Sequence, residues 1–298
     1  MTAFLLLVLC LALGALMART LRLPQGLAPS INFWVLYVAL PALVLDQIPQ
    51  LHIDATLAFP ALAPLIPIGG ALLLFPLLGR AFGWSRGSVG ALILTCGLGN
   101  TAFMGLAMVE ALLGHAALGP ALIADQLGTF LSLSTIGVSV AAIYSGDTLR
   151  PAEIGRRILR FPPFLALIAA FAIRWLGGWP EVFEPVLKRL GDTLTPLALF
   201  SVGLQFKLAD IGSNRGKLFA GLGWKLVLSP AIAVAIALIS GVRGVAVYAG
   251  ILQTAMAPMI TAGILAVEHD LDPPLANLVV SLGILLSLLS VPLLAHFL

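Results

Sequence analysis

Long apolar runs, cut by short charged or Pro/Gly-rich segments, follow one another along the whole chain. A helix that crosses a bilayer needs about 20 mainly apolar residues. On that measure the pattern predicts ten spans, roughly 2–18, 29–47, 56–80, 87–113, 118–145, 161–179, 184–206, 217–240, 243–268 and 273–297. Two are irregular. The sixth carries Arg174 near one end, where a long side chain can snorkel to the interface. The seventh has an uncharged stretch of only 193–206 and takes the turn Lys188–Asp192 as its interfacial end. The first run is followed, not preceded, by Arg19 and Arg22. That order is the reverse of a cleavable signal peptide and suits a first helix that ends in the cytoplasm.

Composition removes the soluble alternative. Of 298 residues, 60% are hydrophobic and 10% charged, against about 25% charged in soluble domains. So few charges cannot coat a water-facing surface, and the chain is read as an all-α integral membrane protein. The length leaves no room for a fused kinase, ATPase cassette or large receptor ectodomain. A net charge of +3 is too small to suggest a nucleic-acid partner. Placement of the basic residues says more. Loops after spans 1, 3, 5, 7 and 9 hold Arg19, Arg22, Arg80, Arg86, Arg150, Arg156, Arg157, Arg160, Lys207, Arg215 and Lys217. The other side holds Arg174, Lys188, Arg189 and Arg243, and Lys225 lies inside a span. This bias puts the first set in the cytoplasm and both termini outside an inner (plasma) membrane. Cys10 and Cys96 sit in apolar runs and are expected as buried thiols.

The chain also reads as two halves. Pro41 in Ala39–Leu45 and Pro196 in Thr195–Phe200 stand 155 residues apart. The same offset carries Gly99-Asn100-Thr101 of span 4 onto Thr254-Ala255-Met256 of span 9, beside Pro258. The division is a first five-helix repeat at 1–145, a cytoplasmic linker at 146–160 and a second repeat at 161–298. An odd number of spans per repeat inserts the halves with opposite topology, a plan of many secondary transporters. Chance matching within Leu/Ala/Pro-rich text gives the same similarity; the charge bias favours the repeat.

Spans 4 and 9 are the ones that read as breakable. Span 4 holds Gly97, Gly99, Asn100, Thr101 and Gly105; span 9 holds Gln253, Thr254 and Pro258. Pro258 has no N–H to give the preceding turn, which frees a carbonyl near Thr254. Unpaired backbone at membrane depth is tolerated only inside protein or against a wet cavity, and the N-terminus of a half-helix can hold an anion. The candidate substrate-binding residues are therefore Gly99, Asn100, Thr101, Gln253, Thr254 and Pro258. Small residues and prolines also serve close helix packing; the matched positions in the two halves favour a site.

Ionisable residues inside spans are costly in lipid. Asp125 and Glu110 are candidates for coupling to H⁺ or another cation, at a shared depth near the outer boundary, or else solvated interfacial groups. Lys225, about two turns beyond Lys217, is read as snorkelling to the cytoplasmic face, with attraction of an anion as the second reading. Asp46 and Glu268 fall at span ends and are read as interfacial. Gln126, Gln205, Gln253 and Asn277 can line a cavity or bond between helices. Enzyme signatures are missing: there is no H-E-x-x-H, and the four histidines are scattered near loops. Gly212–Leu218 has a superficial likeness to a phosphate loop, but its glycines are separated by three residues, not four, and Leu follows the Lys. No cofactor is implied.

These residues resemble the auxin efflux carrier family. Asn32–Ala42 is similar to its second helix, Gly99–Gly105 to its N-T-x-x-x-G crossover, and Asp125–Gly128 to the start of its fifth helix. Leu190–Gly203 is the most specific match; Ala257-Pro258, Ala262–Ala266 and Asp272-Pro273 resemble the second crossover and its exit. The resemblance implies ten helices in two inverted repeats, related to bile-acid sodium symporters, with discontinuous helices 4 and 9 crossing at mid-membrane and an elevator-type movement. It implies a small organic anion beside the crossing, touched by Asn100 and Thr101 and shaped by Pro258, and a homodimer. Family members often have proline near the first crossover, where this chain has Gly99 and Ala107. The short linker matches prokaryotic members annotated for malonate or malate, so auxin itself is not implied. The reading is a secondary transporter or uniporter of small carboxylates. The alternatives are a channel or sensor on the same fold, or a membrane-embedded lipid enzyme.

Overall fold

The computed structural model describes residues 2–147, 151–180, 182–205 and 214–298, and among them the chain is helical, with no strand. In order the helices are α1 (Thr2–Thr20), α2 (Leu27–Gln50), α3 (Ala55–Phe82), α4 (Arg86–Gly97), α5 (Thr101–Leu113), α6 (His115–Ser145) and α7 (Pro151–Leu159). Then come α8 (Pro162–Trp175), α9 (Glu184–Asp192), α10 (Leu194–Leu204), α11 (Arg215–Ser240), α12 (Val245–Thr254), α13 (Ile260–Glu268) and α14 (Pro273–His296). Helices α2, α3, α6, α11 and α14 are each long and apolar enough to cross a membrane, and α5, α8 and α12 are shorter apolar helices. The segment expected as a plain linker contains α7. Arg150, Lys207 and the Gly212-Ser213 part of the rejected phosphate loop lie outside the described residues.

Local chemistry sets the helix ends. Asp54 caps α3 by accepting from the Thr56 N–H at 2.8 Å, and Ser85 caps α4 by accepting from the Ser88 N–H at 3.1 Å. Asp272 caps α14 ahead of Pro273, a residue suited to the first helical turn. Four helices carry π turns: Val35–Ala39 in α2, Thr101–Gly105 in α5, Ala124–Phe130 and Leu133–Gly137 in α6, and Trp224–Leu228 in α11. Such turns are uncommon within helices and gather at functional sites.

Buried apolar side chains form two large clusters. One joins α1, α2, α5, the start of α6, α8, α10, α12 and the later part of α14. The other joins α3, α4, the later part of α6, the start of α11, α13 and the start of α14. Each broken helix therefore gives one half to each cluster: α4 and α13 to the second, α5 and α12 to the first. Within the first, α1 meets α10 backbone to backbone. A Cβ on Gly14 would stand 2.2 Å from the Phe200 carbonyl oxygen, and one on Gly203 2.2 Å from that of Leu11. Small residues of this kind let membrane helices approach closely. Cys10 and Cys96 are buried free thiols.

Two ionisable side chains at the end of α2 are held within the protein. The Arg174 guanidinium donates to the carbonyls of Pro49 at 2.7 Å and Leu51 at 2.6 Å, which terminate α2. Asp46, expected as a solvated interfacial group, is instead covered by protein, 5% exposed. Helix α2 runs on to Gln50, and the Trp179 indole, donating to the Leu45 carbonyl at 2.9 Å, covers this stretch.

Candidate functional site

The two broken helices meet end to end. After Gly97 the chain is extended at Leu98, and Asn100 precedes α5; after Thr254 it passes through Ala255–Met259 before α13. Gly99 and Pro258 pair as an isolated antiparallel bridge. The Asn100 N–H donates to the Ala257 carbonyl at 2.8 Å, and the Met259 N–H to that of Leu98 at 3.0 Å. These bonds satisfy backbone groups that the interrupted ladders leave open. The crossing brings together the N-termini of α5 and α13 and the C-termini of α4 and α12.

Two ionisable side chains are tied to the helix ends here. Asp125, in a π turn of α6, accepts from the Thr101 hydroxyl at 2.5 Å and from the Gln126 amide at 2.6 Å. A carboxylate beside the first residue of α5 complements that end of the helix dipole. Lys225, in the π turn of α11, is 0% exposed and donates to the Thr254 carbonyl at 3.0 Å. That carbonyl is the one Pro258 cannot serve, and an ammonium at the C-terminus of α12 is the favourable sign. The expected snorkelling of Lys225 is thus overturned: its helix turns the side chain inward, onto the crossing. A Cβ on Gly99 would lie 3.0 Å from Lys225 Nζ, so a side chain at that position would press on the ammonium. Gln253 braces the other half, with its amide donating to the carbonyls of Ala121 at 3.2 Å and Thr101 at 3.4 Å.

A cavity of about 240 Å³ opens beside the crossing. That is just below the ~300 Å³ where small-molecule pockets usually begin, so it suits a small solute. Its polar lining is Asn32, Asn100, Asp125, Gln205 and Thr261; Leu36, Phe103, Phe130, Phe161 and Ile260 supply apolar wall. The side-chain oxygen Oδ1 of Asn32 accepts from the Ser201 hydroxyl at 2.6 Å, linking α2 to α10, and the Gln205 amide donates to Ser201 Oγ at 3.1 Å. The rings of Phe130 and Phe161 stack with centroids 4.1 Å apart. The Asn100 amide nitrogen is buried with no hydrogen-bond partner among the described residues. Among the described residues, no three His, Cys, Asp or Glu side chains stand close enough to hold a metal ion.

The structure therefore gathers Gly99, Asn100, Thr101, Gln253, Thr254, Pro258 and Asp125 at one place. Glu110 is not with them. It lies nine residues beyond Thr101 along α5 and meets His115, so the two carboxylates do not share a depth. Gln205 lines the cavity and Gln126 bonds Asp125, whereas Asn277 is exposed. From the sequence, Lys225 has a site role only as its second alternative and the Phe130–Phe161 pair is not singled out, because apolar text and a lone basic residue do not show which face of a helix turns inward.

A family model described as membrane transport protein matches residues 1–145 and 151–295. The chain belongs to this family, the auxin efflux carrier family. An uncharacterized transporter of Methanothermobacter thermautotrophicus is 25% identical over 268 residues, covering 89% of this chain and 87% of that protein. One from Methanocaldococcus jannaschii is 24% identical, covering 82% and 81%. Auxin efflux carrier component 6 of Arabidopsis thaliana is 26% identical over 144 residues, which is 45% of this chain and 25% of the plant protein. The chain is accordingly a multi-pass membrane protein of a transporter family; the matched relatives are transporters, not enzymes. For such a protein Thr101→Val is an informative change, since it keeps the shape and removes the hydroxyl that holds Asp125. A hydrogen bond to a charged group contributes about 1.5–3 kcal/mol. Transport by this variant is expected to fall about tenfold or more in reconstituted vesicles, with the elution profile of folded protein unchanged.

Proposed function

We propose that the protein is a secondary transporter or uniporter of small organic anions, carboxylates such as malonate or malate, with its binding site in the cavity at the crossing. The observation that carries this reading is the buried side-chain amide nitrogen of Asn100, which has no hydrogen-bond partner among the described residues and belongs to a residue lining the cavity where the N-termini of α5 and α13 meet. Helix N-termini favour negative charge, and an amide N–H is a donor in search of an acceptor. A carboxylate satisfies both. In this reading the ten apolar segments form two inverted five-helix repeats, 1–145 and 161–298, in an inner membrane with both termini outside. Alternating access moves the crossing as an elevator against the rest. Asp125, buried beside the anion site, is the group proposed to take up the coupling proton. The names of the plant relatives point to weak organic acids as a class, and a homodimer is the proposed assembly.

The test is charge movement in proteoliposomes on rapid jumps of a carboxylate panel at two pH values, with Asn100→Ala in parallel. One compound is expected to give a saturable current that the variant loses by tenfold or more. An Asn100→Ala protein with unchanged affinity and rate would remove Asn100 from the site. Labelled counterflow covers an electroneutral cycle, and a protein silent in both assays would overturn the organic-anion reading.

A further inference from the structure

At the far end of α5 from the crossing, four polar side chains join three helices. Asp46 of α2 is buried, and the Gln47 amide nitrogen donates to its Oδ2 at 2.8 Å. The same nitrogen lies 2.9 Å from Nε2 of His115, at the start of α6, and Nδ1 of that ring lies 3.1 Å from Oε1 of Glu110 on α5. An amide nitrogen only donates. The reverse orientation of Gln47 would set its oxygen against the Asp46 carboxylate. His115 Nε2 is therefore the acceptor, so Nδ1 carries the ring proton and donates to Glu110. The arrangement requires a neutral imidazole, because a protonated ring donates from both nitrogens and offers Gln47 nothing to bond.

We infer that this Asp46–Gln47–His115–Glu110 chain is a proton-binding latch: neutral His115 ties the end of α2 to the ends of α5 and α6, and protonation of His115 unties them. The surroundings fit a proton as the ligand. Glu110 faces the ring from α5 and Asp46 lies behind Gln47 on α2; His52 and Asp54 line the same polar pocket, to which α12 brings Val245 and Ala246. The Thr56 hydroxyl and N–H hold the Asp54 carboxyl below the usual carboxylate range, so it stays ionised while histidines titrate. Arg174 of α8 is engaged by the carbonyls of Pro49 and Leu51. The latch spans the two helices that also wall the cavity, since α2 carries Asn32 and Leu36 and α5 starts beside Asn100. Fifteen residues of α2 separate Asn32 from Gln47, about 22 Å along the axis. Untying this end lets α2 and α5 part on the face away from Asn32.

The test measures separation and needs no substrate, although the role in transport rests on the function proposed above. Spin labels go on Ile53→Cys and Ala116→Cys, two exposed positions on either side of the latch. The buried Cys10 and Cys96 are changed to alanine. Distances are read at about pH 5 and about pH 8, the window in which histidines change charge. The otherwise unaltered chain is expected to give one short distance at the higher pH and to gain a component longer by a few ångström at the lower. His115→Gln, which keeps a neutral acceptor, is expected to stay short at both; His115→Lys, which has no acceptor, to stay long at both, with circular dichroism confirming the fold. A distribution that ignores pH overturns the latch. So does a widening that persists in His115→Gln, which would place the proton on Glu110, Asp46 or His52. If the distances behave as expected while no carboxylate is carried, the latch stands and the substrate reading fails.

Discussion

Replacing Lys225 with methionine is expected to yield a folded protein that transports at about a tenth of the parent rate or less. Methionine fills a similar volume without charge or donor. Two stability effects then oppose each other. Taking away a buried basic group that pairs with no carboxylate among the described residues removes a desolvation penalty. The Thr254 carbonyl loses its donor, at a cost of about 1–3 kcal/mol. Thermal unfolding should therefore move little. Transport does not share the cancellation, because the lost bond is local to the crossing, and about 1.4 kcal/mol on a rate-limiting barrier is tenfold. Gly99→Ala probes the same contact from the other side, since the new methyl would stand 3.0 Å from Lys225 Nζ and 3.3 Å from the Gln253 carbonyl oxygen. If that contact is what each single change disturbs, the losses in the double variant are not additive. Parent-level flux in Lys225→Met would show that the end of α12 needs no donor.

The largest effect on folding is expected at Gly203. A Cβ there would lie 2.2 Å from the Leu11 carbonyl oxygen and 2.9 Å from the Ala15 nitrogen, both backbone atoms that no rotamer can move. Gly203→Leu must push α1 and α10 apart along their seam. Overpacking costs about 1–3 kcal/mol where side chains can adjust, and here they cannot. The expected outcome is a fall in Tm of about 10 °C or more, or failure to accumulate in membranes. Gly203→Ala should show a smaller fall. Gly69→Leu is the control, because nothing lies within 4 Å of the position its Cβ would take. Equal unfolding temperatures for Gly203→Leu and Gly69→Leu would mean that the seam is looser than it looks.

The breaks were legible in the sequence because glycine and proline act on the backbone wherever they stand. Gly99 and Pro258 announce an interruption without knowledge of any neighbour, and the structure pairs those two residues. The family was legible for a similar reason: its marks are short local strings spread over the chain. What stayed hidden depends on rotation and coverage. Lys225 lies about two turns from Lys217 along the helix axis, but distance along an axis says nothing of the face. Asp46 reads as a span end, whereas its helix continues to Gln50 and Trp179 bonds the Leu45 carbonyl beside it. The π turns holding Thr101, Asp125 and Lys225 leave no mark in residue type. They come from tertiary packing, and they decide where those three side chains point.

The seam between α1 and α10 also bears on how the chain is built into the bilayer. Helix α1 leaves the ribosome long before Gly203 has been made, so its glycine face meets lipid, or an insertion factor, while the intervening helices follow. Gly14 offers lipid a shallow notch and no polar side chain, which lets α1 wait without forming a wrong bond. The two helices lock only when α10 arrives, so a helix made well before its partner is among the last to find its place.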